Sequence, residues 1–272
     1  MEKIRIDYHT GTGCSKLVAE LLTEKLKMNN MDVVVHRIVR DQIIGTQKLD
    51  NINYYIMIFP VHSFNAPKPV YEWIRHLVGN GCKTAVISVS GGGNIITNSA
   101  SRYKTVKLLK KSNFNVIFEE MVRMPNNWMK VPDEKKYKRI LANLPQKIEI
   151  ISQTILTQRK SKKIIYWSDY LVSALGELEK KGTRNFGNGI KISESCNGCG
   201  LCAQNCFSSN IQIEHQLTAG SSPKPIIGNR CDMCLACIYN CPQKALQPAW
   251  GAFQIDKKGY DLRLMWQKAN IK

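Results

Sequence analysis

Eight of the ten cysteines in this chain fall between Cys196 and Cys241, and they repeat. Cys196, Cys199, Cys202 and Cys206 form CxxCxxCxxxC. Cys231, Cys234, Cys237 and Cys241 form it again 35 residues later, followed by Pro242. Asn205 and Asn240 keep the same register. Three cysteines at this step wrap a tight loop around one face of a cubic iron–sulfur cluster, and a fourth must arrive from elsewhere to complete the tetrahedron of iron sites. A zinc ribbon uses pairs of CxxC, and a third cysteine at the same step has no role in a single tetrahedral site.

The rest of the chain agrees with ligand thiols rather than disulfides. In 272 residues no apolar run approaches the roughly 18 needed to span a bilayer, and the N-terminus MEKIRIDYHT carries charges where a signal peptide needs apolar residues. A cytoplasmic location is expected, where thiols stay reduced. Charge is divided unevenly. Residues 1–150 hold 23 basic and 13 acidic side chains, a net +10, whereas residues 190–250 hold 4 and 3, a net +1. The expected division is 1–158 as one domain, 159–189 as a basic helical linker with a Gly/Asn-rich end (Gly182–Gly189), 190–250 as the cysteine domain, and 251–272 as a polar tail.

Residues 1–158 alternate strand and helix signals. Strands are predicted at Lys3–Tyr8, Asp32–Val39, Tyr54–Phe59, Thr84–Val89 and Phe114–Val122. Helices are predicted at Ser15–Met28, Val70–Val78, Ala100–Lys111 and Asp133–Gln158, the last divided around Pro145. Near-continuous apolar strands separated by helices mean an α/β, doubly wound parallel five-stranded sheet covered on both faces. Ligands in such folds bind beyond the carboxyl ends of the strands. Three loops stand there. Thr10-Gly11-Thr12-Gly13-Cys14-Ser15 opens a helix and offers amides and hydroxyls to a phosphate. It lacks the lysine of a nucleoside triphosphate loop and the spacing of a dinucleotide fingerprint. Val61-His62-Ser63-Phe64-Asn65 follows the third strand, and Ser90-Gly91-Gly92-Gly93 the fourth.

The first loop resembles the FMN-phosphate loop of flavodoxins, and the other two stand where that family flanks the flavin ring. The cysteine segment resembles a small α+β bacterial-type two-cluster ferredoxin, in which the fourth cysteine of each run ligates the other cluster. The resemblance implies two [4Fe–4S] clusters, one on Cys196, Cys199, Cys202 and Cys241, the other on Cys231, Cys234, Cys237 and Cys206. Phe207 departs from the family's pattern, which has Pro after the fourth cysteine, and the loop containing Gly220–Pro225 is longer than a minimal ferredoxin needs. The whole chain is similar to the flavodoxin–ferredoxin fusion proteins of anaerobes. That implies an electron carrier linking FMN, the clusters and an external redox partner. Two alternatives stay open: a flavin-dependent reductase of a small acceptor, such as a quinone or nitro compound, with His62 as the proton donor to test; and a module that has lost its flavin.

Cys14 is expected to give its amide to the phosphate loop and Cys82 to be a core hydrophobe. Trp128 is expected to pack at the surface. The formal net charge of +18 comes with no nucleic-acid recognition motif. It fits a solvated surface, or steering towards an acidic redox protein. The basic run Arg159–Lys163 ahead of IIYW also suits peripheral contact with an anionic membrane, without a membrane anchor.

Overall fold

The computed structural model describes residues 2–39, 45–93, 98, 100–127, 133–161, 166–214, 223–248 and 261–270. Five strands, β1 (Lys3–Tyr8), β2 (Asp32–Arg37), β3 (Tyr54–Pro60), β4 (Lys83–Ser90) and β5 (Asn115–Arg123), pair in parallel in the order β2-β1-β3-β4-β5. This is the flavodoxin-like doubly wound order, with its switch point between β1 and β3. Strand β3 shows why the sheet needs cover on both sides. Tyr54, Ile56 and Ile58 enter one core, while Tyr55, Met57 and Phe59 enter the other. All six are buried, and each such side chain contributes about 1.5–3 kcal/mol relative to exposure. Helices α1 (Cys14–Met28), α4 (Glu134–Ala142) and α5 (Leu144–Leu156) close the first core; α2 (Lys68–Arg75) and α3 (Tyr103–Lys111) close the second. Cys82 packs in the second core, and burial raises its thiol pKa.

One buried charge pairs inside that second core. Asp7 on β1 is fully buried and accepts from Arg5 Nε (2.7 Å), Tyr55 Oη (2.8 Å) and Trp73 Nε1 (2.6 Å). Arg5 also donates to Gln47 Oε1 at 3.0 Å and lies 5.8 Å from the Trp73 ring centroid. The two carboxylate oxygens thus tie three elements together without leaving a charge unmet.

Two stretches differ from the sequence expectation. The Gly/Asn-rich residues 182–188 are not an irregular linker but the last two turns of α6 (Trp167–Asn188). Packing outweighs the weak helix propensity of glycine there. Phe186 is buried in a core shared with the cysteine segment, and a Cβ on Gly187 would meet Cys231 Cβ at 2.5 Å. The C-terminal segment is likewise more than a polar tail, because α9 (Leu262–Asn270) packs on α4 and the first core through Leu262, Met265, Trp266 and Ala269. Those residues recur at helical spacing behind Asp261, whose carboxylate accepts from Leu264 N at 2.9 Å.

The cysteine segment folds as two similar halves. Strands β6 (Lys191–Ile192) and β9 (Leu246–Gln247) pair antiparallel, as do β7 (Ile211–Glu214) and β8 (Lys224–Ile227). Helices α7 (Leu201–Gln204) and α8 (Ala236–Tyr239) lie 35 residues apart, as the cysteines do. The backbone repeats too. Gly198, Gly200 and Ser209 have φ of 70°, 76° and 43°, and their counterparts Met233, Leu235 and Lys244 have 52°, 61° and 49°. Left-handed turns place each loop even where the second half lacks glycine. Among the described residues, no helix is long and apolar enough to cross a membrane.

Candidate functional site

The eight cysteines line two separate cavities. Cys196, Cys199 and Cys202 share the first with Cys241 from the second run. Cys231, Cys234 and Cys237 share the other with Cys206 from the first. Each quartet therefore takes three thiols from one repeat and one from the other. Apolar side chains complete the walls, with Ile213, Pro225 and Leu246 at the first and Phe186, Ile211 and Leu235 at the second. Backbone amides point at three sulfurs: Asn210 N donates to Cys206 Sγ (3.2 Å), Met233 N to Cys231 Sγ (3.3 Å) and Ala245 N to Cys241 Sγ (3.3 Å). Burial pushes the thiol pKa of Cys231 up to about 11 and that of Cys234 up to about 12; Cys237 moves in the same direction. Among the described residues, no three Cys, His, Asp or Glu side chains group so as to hold a single metal ion. The Gly220–Pro225 loop lies outside the described residues up to 222. Its end is not a free insertion: Pro223 O would lie 2.4 Å from a Cβ on Gly198, and Pro225 lines the first cavity.

At the carboxyl end of the sheet, Gly13 caps α1 with φ 100°, and its N–H donates to Thr10 Oγ1 at 3.0 Å. Ser15 is fully buried, and its Oγ has no hydrogen-bond partner among the described residues. Thr12 Oγ1 accepts from Asn127 Nδ2. Cys14, beside them, begins α1 and is partly buried. After β3, Val61 N donates to Val89 O (2.9 Å), and His62 and Asn65 exchange two backbone hydrogen bonds (2.8 and 2.9 Å). Ser63 and Phe64 between them take left-handed φ of 46° and 57°. Asn65 was expected to flank a ligand; instead its side chain is buried against α6, donating to Ser173 O (2.9 Å) and accepting from Ser173 Oγ (2.7 Å). After β4, Ser90 Oγ accepts from Gly92 N (3.2 Å) and Asn98 Nδ2 (2.8 Å), which holds the Gly91–Gly93 turn. Gly91 must lack a side chain, because a Cβ would meet Asn126 Cα at 2.9 Å. A cavity of about 450 Å³ opens beside Gly92 and Gly93, with Arg123, Arg139 and Lys147 on its walls. Trp128 lies outside the described residues.

The second thiol quartet and the phosphate-type loop touch. A Cβ on Gly11 would meet the Cys234 carbonyl oxygen at 2.4 Å, so only glycine admits this approach. Asn240 Nδ2 donates to Gly11 O (3.3 Å), and Tyr239 Oη donates to Asn127 O (2.9 Å). Phe207 stacks edge-on against His9, with centroids 5.4 Å apart, and joins the second core of the sheet domain. Phe207, which follows Cys206 where Pro242 follows Cys241 in the second repeat, is thus an anchor between the two halves. Sequence reasoning missed His9, since a histidine after a strand carries no distinguishing signal.

Burial lowers the His9 pKa to about 3, and the nearby His62 and Arg37 add to the effect. The unfolded imidazole titrates near 6.5, so the unfolded state binds the extra proton in the window from about 6.5 down to 3. Stability from this group is therefore present above 6.5 and lost as the pH falls. Between pH 7 and pH 5 the expected loss is about 2 kcal/mol. Unfolding free energies from denaturant titrations at the two pH values should converge by that amount in His9→Phe. An unchanged pH slope in the variant would contradict a neutral buried His9.

No family model and no curated protein matches the chain. Several solved structures are similar to it. A flavodoxin of Streptococcus pneumoniae TIGR4 has 13% identity and a TM-score of 0.40, and the match covers 57% of this chain and 99% of that one. A flavoprotein in complex with FMN from Lactobacillus acidophilus has 16% identity and a TM-score of 0.35, covering 44% and 93%. A flavoprotein from Bacteroides uniformis has 12% identity and a TM-score of 0.36, covering 45% and 90%.

Proposed function

We propose that this chain is an electron-transfer iron–sulfur flavoprotein, a flavodoxin-like FMN domain joined to a two-cluster ferredoxin domain, exchanging electrons with an external partner. The observation that carries the reading is the crossed lining of the two cavities, three thiols of one repeat with the fourth of the other. Thiols that surround a cavity, rather than converging on a point, suit a cubic cluster better than one zinc ion. The raised pKa values of Cys202, Cys231, Cys234 and Cys237 require a strong local cation to hold these groups as thiolates, which iron would supply on binding. Bound, the clusters would carry one electron each and FMN one or two.

The chain's own contribution is to hold and tune. Cys196, Cys199, Cys202 and Cys241 would ligate one cluster; Cys231, Cys234, Cys237 and Cys206 would ligate the other. The amides of Asn210, Met233 and Ala245 donate to sulfur and so stabilise the more negative, reduced state. The apolar walls limit water. At the sheet, the orphaned hydroxyl of buried Ser15, at a helix start and behind the left-handed Gly13, fits a phosphate oxygen. Thr10, Gly11, Thr12, Gly13 and Cys14 complete that loop. Val61–Phe64 and Ser90–Gly93 would border the ring, and the amide of Asn65 would hold its loop in place rather than touch the ligand. The contact of Gly11 with Cys234 supports short electron transfer between the two sites. The surplus of positive charge suits an acidic partner protein.

Anaerobic purification followed by flavin extraction and iron and sulfide counting tests the reading. About one flavin and about eight each of iron and sulfide per chain are expected. Zinc in place of iron would overturn the cluster assignment, and iron without flavin would overturn the FMN assignment alone. The cavity beside Gly93 keeps the reductase reading in play, and steady-state turnover of a quinone or nitro acceptor separates it from a carrier.

A further inference from the structure

Helix α6 is amphipathic in the reverse sense. At about 100° per residue, Asp169, Ser173 and Gly176 share one face, and Trp167, Tyr170, Leu171, Ala174 and Leu175 share the opposite one. The polar and small face is the buried one. Asp169 is 3% and Ser173 7% exposed, Ser173 bonds Asn65, and a Cβ on Gly176 would meet Ser63 O at 2.0 Å. The apolar face is in solvent: Trp167 is 76%, Tyr170 52%, Leu171 54% and Leu175 60% exposed, with Tyr166 at 57% just ahead. Among the described residues, five of the most exposed large apolar side chains therefore stand within ten positions, at the start of α6, held outward by its inner contacts. A patch of this kind on a water-facing helix marks an interaction surface.

The composition around the patch selects its occupant. Arg159, Lys160, Lys162 and Lys163 precede the helix within a few residues, with no acidic residue among them. Tryptophan and tyrosine are the side chains that settle at the boundary between lipid headgroups and acyl chains. Basic residues flanking an apolar face match a negatively charged lipid surface, and each contributes near such a surface. A second copy of a chain with net charge +18 would set like charges against each other at the same patch. We propose that α6 is a peripheral docking face for anionic membrane, inserting Trp167, Leu171 and Leu175 into the headgroup boundary while the basic residues before it meet lipid phosphates. The protein then works at a membrane surface, which no helix among the described residues is long and apolar enough to cross.

Cosedimentation of the purified full chain with vesicles tests this directly. Vesicles of phosphatidylcholine mixed with phosphatidylserine should bind it, with a blue shift in tryptophan fluorescence that Trp167→Phe abolishes. Vesicles of phosphatidylcholine alone should bind it at least tenfold less, and added salt should weaken binding. Leu171→Ser should cost about tenfold in the vesicle partition coefficient, and Leu175→Ser a similar factor, without changing thermal stability, because both side chains are exposed. Partition equal for wild type and the double variant Leu171→Ser/Leu175→Ser would overturn the proposal. So would a dimer in sedimentation that this variant dissociates, which would assign the face to a second copy. Absence of vesicle binding at low salt would overturn it as well. None of these readouts depends on cofactor content.

Discussion

Replacing Cys241 by alanine is expected to expose the three cysteines of the other repeat and leave its own neighbours protected. In the folded chain Cys241 shares a cavity with Cys196, Cys199 and Cys202, whereas Cys231, Cys234 and Cys237 share theirs with Cys206. If each quartet holds a cubic cluster as proposed, loss of one of its four thiolates opens that cluster to solvent, and iron per chain should fall by about half. Anaerobic alkylation followed by peptide mapping reads which thiols have become free. Label on Cys196, Cys199 and Cys202, with the other quartet silent, is the expected pattern. Label on Cys231, Cys234 and Cys237 instead would show that each repeat holds its own cluster. Cys206→Ala should give the mirror result, a useful control against general unfolding. The effect is close to all-or-none, because a site with three thiolates lacks the ligand that the rigid α7 and α8 turns position for the fourth corner.

Asp7→Ala is expected to be the most destabilising single change in the sheet domain, by about 3–5 kcal/mol. Its carboxylate is fully buried and meets Arg5, Tyr55 and Trp73 at 2.6–2.8 Å. Removing it strands a phenol and an indole N–H in an apolar core and leaves the buried guanidinium with Gln47 alone. A typical domain has only about 5–15 kcal/mol in total, so the variant should populate unfolded chains near physiological temperature. The denaturant midpoint of the anaerobically purified protein, followed by far-UV circular dichroism, measures the change. Arg5→Met/Asp7→Leu should recover most of the loss, since removing both charges removes the desolvation problem along with the pairing. A shift of under about 1 kcal/mol in Asp7→Ala would show that water reaches the pocket and meets the stranded donors.

What was legible in the sequence follows from where the forces act. Strands β1, β3 and β4 were readable because each is a largely buried run, with Tyr54–Phe59 the plainest case, whereas the mostly exposed edge strand β2 was readable from its β-branched residues. The duplication was readable because the cysteine spacing is local in sequence, and the 35-residue offset reappears in helices, turns and cavities alike. Residues 182–188 misled because glycine propensity argues against helix, while Phe186 and Gly187 are held by contacts with the cysteine segment. Helix α9 carried its own helical spacing and was legible in principle, but the polar residues between its apolar positions masked it. The meeting of Gly11 with Cys234 had no local sign at all. A glycine kept for a backbone 223 positions away looks like any glycine in a phosphate-type loop.

The cysteine segment enters from α6, whose inner face is fastened to the Ser63–Asn65 turn, and leaves towards α9, which rests on α4 and whose Leu262 would touch a Cβ on Gly13 at 3.5 Å. It is therefore tied to the sheet domain at both ends, as an inserted loop would be, rather than hung from one strand of linker. Its effective concentration at the Gly11 loop is set by two anchors instead of one tether, so the two halves need no diffusive search to meet. Weakening a single contact such as Tyr239 with Asn127 should scarcely separate them, and a graft of the cysteine segment onto another protein would have to carry both helices to keep its position.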